Sequence, residues 1–109
     1  MAFDAAQADQ FRADLALIPG ITEKRMFGGL CFLLNGNMLC GVHNRGAMYR
    51  VGKDHHSEAL AIEGASELAF TGKPMGGFVD IDFDAFWEDD KRKRWLGFAL
   101  DFVGSLPPK

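Results

Sequence analysis

The sequence predicts an α+β domain in which an antiparallel meander sheet of about five to six strands packs against an N-terminal helix, a short middle helix and a C-terminal helix. Three observations predict it. Apolar residues recur at helical spacing near the N-terminus, the segment from Ile21 to Val51 breaks into short apolar runs divided by Gly and Asn, and helical spacing returns after Asp89. At 109 residues the chain suits one hydrophobic core, so a single domain spanning 1–109 is expected.

Asp4, followed three residues later by Gln7, reads as a helix cap, and Ala8, Phe11, Leu15 and Ile18 continue on one face. The first helix is therefore expected from Ala5 to Leu17, stopped by Pro19-Gly20. Strands are expected at Thr22 to Met26, Leu30 to Leu34, Asn37 to Val42 and Ala47 to Val51. Asn35-Gly36 is the strongest turn signal, because a type I′ turn needs positive φ at both central residues. Counting outward from that turn pairs residue 31 with residue 40, which sets Cys31 opposite Cys40, about 4.5 Å apart at Cα. Asn44-Arg45-Gly46 makes the next turn, and Gly28-Gly29 a bulge or sharp bend.

Asp54 is expected to cap a short helix running to Ile62, with Gly64 after it. A short strand at Leu68 to Phe70, a loop from Thr71 to Gly77 and an alternating strand from Phe78 to Asp82 follow. Asp84 starts one helical turn. Asp89 caps the last helix, which buries Trp95, Leu96, Ala99, Phe102 and Val103 and ends before Pro107-Pro108.

Composition narrows the function classes. The longest apolar run, Leu30 to Leu34, is far too short for a membrane span, and no basic leader follows Met1, so a cytoplasmic location is expected. Two cysteines without an export signal read as reduced thiols. A net charge of -3 disfavours binding nucleic acid by phosphate neutralisation. The cluster Lys91-Arg-Lys-Arg94 is preceded by Glu88, Asp89 and Asp90 at i,i+4 spacing, which makes a self-paired, solvated helix face the simpler reading. His43, His55 and His56 match no zinc spacing, and no Ser lies in a nucleophile elbow. No cofactor, metal or catalytic residue is expected.

Two segments remain as candidates for contact: Arg25-Met26-Phe27-Gly28-Gly29 and Gly72-Lys73-Pro74-Met75-Gly76-Gly77-Phe78. Each joins a cation to a glycine-pair bend and an aromatic ring. Glycine lets an anion or another backbone approach closely, although both bends also serve as packing devices. These two segments, the Asn35-Gly36 hairpin, the Tyr49 strand and the tryptophan-bearing last helix together resemble the N-terminal domain of the TfoX (Sxy) family. Members of that family regulate natural competence in bacteria alongside a transcription activator. The resemblance implies an α+β unit without known catalytic residues.

Two departures accompany the resemblance: Phe78 stands where the family usually has tyrosine, and the C-terminal helical domain of the family's regulators has no counterpart in this sequence. The expected function is a non-enzymatic regulatory or protein-interaction module. Its partner is another protein, and a homodimer is an open alternative. Arg25, Phe27, Gly28, Gly29, Lys73 and Phe78 are the candidate contact residues, with Arg25 and Lys73 expected to share one surface. The alternative is a small-molecule or anion-binding domain that uses the same bends with Arg25 and Lys73 as its clamp.

Overall fold

The computed structural model describes residues 3–26, 28–70 and 73–109, with only the backbone at 69, 70 and 73–75. Asp4 caps the first helix through Oδ1, which accepts from the Gln7 N–H at 2.9 Å. This helix, α1 (Ala5–Asp14), ends short of the expected Leu17. Leu15 leaves helical geometry at φ -99°, and the Ile18 N–H turns back to the Leu15 carbonyl, so Leu17 projects into solvent.

Four strands then form the expected meander: β1 (Ile21–Met26), β2 (Gly29–Leu34), β3 (Asn37–His43) and β4 (Gly46–Arg50). After α2 (Gly52–Leu60) come β5 (Ala65–Phe70) and β6 (Lys73–Ile81), then α3 (Phe83–Phe86) and α4 (Asp89–Val103). The sheet order is β1-β2-β3-β4-β6-β5, and every pairing is antiparallel. The segment expected as a loop from Thr71 to Gly77 is thus mostly strand, with Lys73 paired to Phe70 and Pro74 to Ala69. Proline is accommodated there because β4 pairs only with Phe78 to Ile81, so that among the described residues no strand pairs with the other edge of β6 at Pro74.

Asn35 (φ 52°) and Gly36 (φ 86°) form the expected type I′ turn, and the register starts as counted, with Leu34 opposite Asn37 and Leu33 opposite Met38. It then slips. Phe32 faces Cys40 and Cys31 faces Gly41, which leaves Leu39 as the extra residue of a β-bulge. Cys31 and Cys40 are therefore not partners: Leu39 and Cys40 both enter the main core, while Cys31 belongs to a small cluster with Met48 and Leu68. A bulge changes which face each following side chain takes, and turn chemistry alone does not signal it.

Helices α1 to α4 cover one face of the sheet. Phe11 of α1, Ala59 of α2, Phe86 of α3 and Trp95 of α4 meet Phe32, Leu39, Tyr49 and Val79 there. Phe11 lies at its centre, with ring centroids 5.1 to 5.4 Å from Phe32, Tyr49 and Phe86. Two expected caps are corrected. α2 starts at Gly52, because positive φ at this glycine turns the chain straight from β4 into the helix, and Asp54 lies within the first turn. Asp89 is the first residue of α4 rather than its cap.

On α4, Trp95, Ala99 and Val103 are buried as expected, with Leu96 and Phe102 half-buried beside them. Arg92 is buried as well, contrary to the expected solvated face. Its guanidinium bonds Asp14 at 2.7 Å, Asp89 at 2.8 Å and the Phe86 carbonyl at 3.2 Å, joining α4 to α1 and α3. A sheltered charge is tolerable only with such partners.

Candidate functional site

The expected contact residues do not converge. Arg25 lies on edge strand β1 opposite Leu30, a core residue, so it stands on the helix-bearing face, where its guanidinium lies 5.8 Å from the Phe3 ring. Phe78 pairs with Arg50 on β4 and packs against the Cys31 cluster on the opposite face. Strands β2, β3 and β4 intervene between Arg25 and the backbone of Lys73 on β6. The shared Arg25 and Lys73 clamp is accordingly corrected, since neighbours in sequence motif are not neighbours in the sheet. Gly28 (φ 74°) lies between β1 and β2 and Gly29 opens β2 opposite Met26, while Phe27 lies outside the described residues.

The basic cluster is also divided. Arg92 is internal, and Lys91 pairs with Glu88 at 2.9 Å, which leaves Lys93 and Arg94 as its exposed members. His43 bonds Asp80 at 2.7 Å, and His55 sits between Glu58 and Asp101. Among the described residues no group of three or more His, Cys, Asp or Glu is placed to hold a metal. Among the described residues no helix is long and apolar enough to cross a membrane.

A different surface gathers exposed rings. In α3 the inward residues Ala85 and Phe86 anchor a single turn in the core, and this forces Phe83 and Trp87, four apart, to the outside. They are 44% and 38% exposed, the largest exposed hydrophobic side chains besides Leu17 among the described residues. Their rings meet edge-on at 6.2 Å, and Trp87 also meets the buried Phe86 edge-on at 5.1 Å, so the exposed indole is braced from below.

Carboxylates frame the pair. Asp82, Asp84, Glu88, Asp89 and Asp90 are all exposed, and Asp82, Asp84 and Asp90 form no ion pair among the described residues. A cleft of about 460 Å³ opens beside Phe83, where Glu63, Asp82, Asp84 and Glu88 outnumber Arg45 and Lys91. This surface can take an apolar contact at its centre and a cation at its rim. Sequence reasoning missed it because Phe83 and Trp87 look like core residues in a Phe-rich chain. The available signal was their i,i+4 spacing inside an acidic run.

The family model for the TfoX N-terminal domain matches residues 13–103, most of the chain. The chain belongs to that family. No curated protein and no solved structure gives a match. The matched region of this TfoX N-terminal domain runs from the end of α1 to the end of α4, so it contains the whole sheet and the α3 surface. The family is that of competence-regulator-like modules and is not known as a family of enzymes.

Proposed function

We propose that this TfoX N-terminal domain is a non-enzymatic interaction module of a transcription-regulatory system, and that it docks a basic segment of another protein on the α3 surface. The observation that carries the reading is the exposed Phe83–Trp87 pair inside its carboxylate frame. Tryptophan at the centre of a contact with a polar rim is the usual anatomy of an energetic hot spot. Unpaired Asp82, Asp84 and Asp90 attract Lys and Arg, and they repel both the phosphates of DNA and the same surface on a second copy. Direct DNA contact and a homodimer through this face are both disfavoured.

The test is affinity capture from the native cell with three proteins: wild type, Phe83→Ser combined with Trp87→Ser, and Arg25→Ala. The reading expects a protein held by wild type and by Arg25→Ala but lost with the double variant, through a segment rich in Lys and Arg, and more weakly held as salt rises. A partner retained by the double variant overturns it.

A further inference from the structure

We infer that the pocket where β4 runs into α2 binds a small organic anion, a carboxylate or phosphate carried on a flat apolar body, with Arg50 as its principal ligand. The pocket has a volume of about 300 Å³, at the lower end of ligand sites. Its walls are the rings of Phe78 from β6 and Phe102 from α4, and Lys53 and Asp54 of α2 stand at its margin.

Two glycines make the pocket possible. The Val51 N–H donates to the Gly77 carbonyl at 2.8 Å, which brings β6 against the start of α2. A Cβ on Gly77 would stand 3.3 Å from the Gly52 backbone, and one on Gly52 would lie 2.5 Å from the Phe102 ring. Both residues also hold positive φ. The Gly76-Gly77 bend thus lines this pocket, with Arg50 and Lys53 as the cations beside it rather than Arg25 and Lys73.

Arg50 is the decisive group. Its guanidinium lies 5.7 Å from the Phe78 ring centroid and 5.4 Å from that of Phe102, so two aromatic walls fix the side chain at the pocket. The other sheltered cations, Arg92 and Lys91, each hold carboxylates at 2.9 Å or less. Arg50, half-buried, forms no ion pair among the described residues. A guanidinium braced on apolar rings keeps its fork of N–H donors for a planar or tetrahedral anion.

Lys53 adds a second positive charge, and its Cε would stand 3.8 Å from a Cβ on Gly76, across the pocket rim. The first turn of α2 opens at the same place without a side-chain cap, adding backbone donors and the positive end of the helix. Asp54 is the one acid among the described residues of the lining. Two cations against one carboxylate leave a net positive site, and Asp54 suits a hydroxyl or amino donor on the same ligand.

The probes are benzoate, phenyl phosphate and inorganic phosphate, each titrated into the full chain while backbone amide NMR shifts are followed. The expected result is saturable shifts concentrated at Gly52, Lys53, Asp54 and Gly77, with at least one aromatic anion bound more tightly than inorganic phosphate. Arg50→Gln should weaken binding roughly tenfold or more, and Arg50→Lys, which keeps the charge without the fork, by less. Lys24→Gln, on β1, should leave it unchanged. Either of two results overturns the inference: shifts absent from the pocket amides for all three probes, or affinity the same in wild type and in whichever Arg50 variant folds.

Discussion

The indole Nε1 of Trp95 donates to the Ala59 carbonyl at 3.2 Å, while the ring stacks on Tyr49 at 6.0 Å, so one side chain ties α4 to α2 and to the sheet. Trp95 is fully buried. Truncation to Ala removes the packing and one of the hydrogen bonds that the Ala59 carbonyl accepts, and should cost about 3 to 5 kcal/mol, enough to unfold a domain of ordinary stability. With Trp87→Phe as background, Trp95 fluorescence should be blue-shifted and shielded from iodide. A solvent-like spectrum refutes the packing of α4.

Cys31 and Cys40 stand on opposite sides of the sheet, and burial pushes both thiols up from their ordinary pKa. Both are free. Neither should react readily with thiol reagents in the folded state, and a mild oxidant should form no intramolecular disulfide. A disulfide linking residues 31 and 40 in the folded monomer, read by mass spectrometry, would contradict the bulge at Leu39.

Gly36→Val should destabilise by roughly 1 to 3 kcal/mol, since a β-branched residue resists positive φ. The chain's end adds to the cost. Lys109 donates its N–H to the Asn35 carbonyl at 2.8 Å, and a Cβ on Gly36 would stand 2.9 Å from the Lys109 Cβ. An unchanged melting temperature counts against this turn.

The Tyr49 hydroxyl is buried and has no hydrogen-bond partner among the described residues. Burial also raises its pKa well above the ordinary value. Removing an unsatisfied polar atom while keeping the ring should be neutral or stabilise by about 1 kcal/mol, so Tyr49→Phe should melt no lower than wild type. A clear loss of stability would reveal a partner for this oxygen, such as a buried water.

His55 lies between two carboxylates, with Nε2 2.7 Å from Asp101 and Nδ1 3.1 Å from Glu58, and stacks on Phe98. Bonding to Asp101, then to Glu58, raises its pKa above 6.5. A raised folded-state pKa means that its stabilisation is complete below the unfolded value near 6.5 and is lost as pH rises through the folded value. The stability difference between wild type and His55→Gln should therefore be largest in mild acid and fade at alkaline pH. A gap that grows with pH sinks the assignment.

Local chemistry by itself determined a large part of this protein. Asp4 capped α1, Asn35-Gly36 made the hairpin turn, and the helical spacing of Trp95, Ala99 and Val103 put those residues inward, because each depends on a few neighbouring residues and on a period the chain carries openly. The α+β class and the family resemblance were legible for the same reason. Even the α2 cap was missed by only three residues, Val51 in place of Asp54, at a glycine whose positive φ a capping rule does not anticipate.

Tertiary structure decided what lies beside what. The Leu39 bulge moved Cys40 away from Cys31, β6 inserted between β4 and β5, and Arg25 and Phe78 came out on opposite faces. Arg92, which reads as one charge in a solvated run, became an internal tie to Asp14, 78 positions away. The pocket at Arg50 exists only because β6, α2 and α4 meet there, and Phe83 and Trp87 are exposed only because Phe86 took the inward position. Such outcomes follow from long-range packing, in which elements distant in sequence compete for one core, and no spacing rule within a single element encodes the winner.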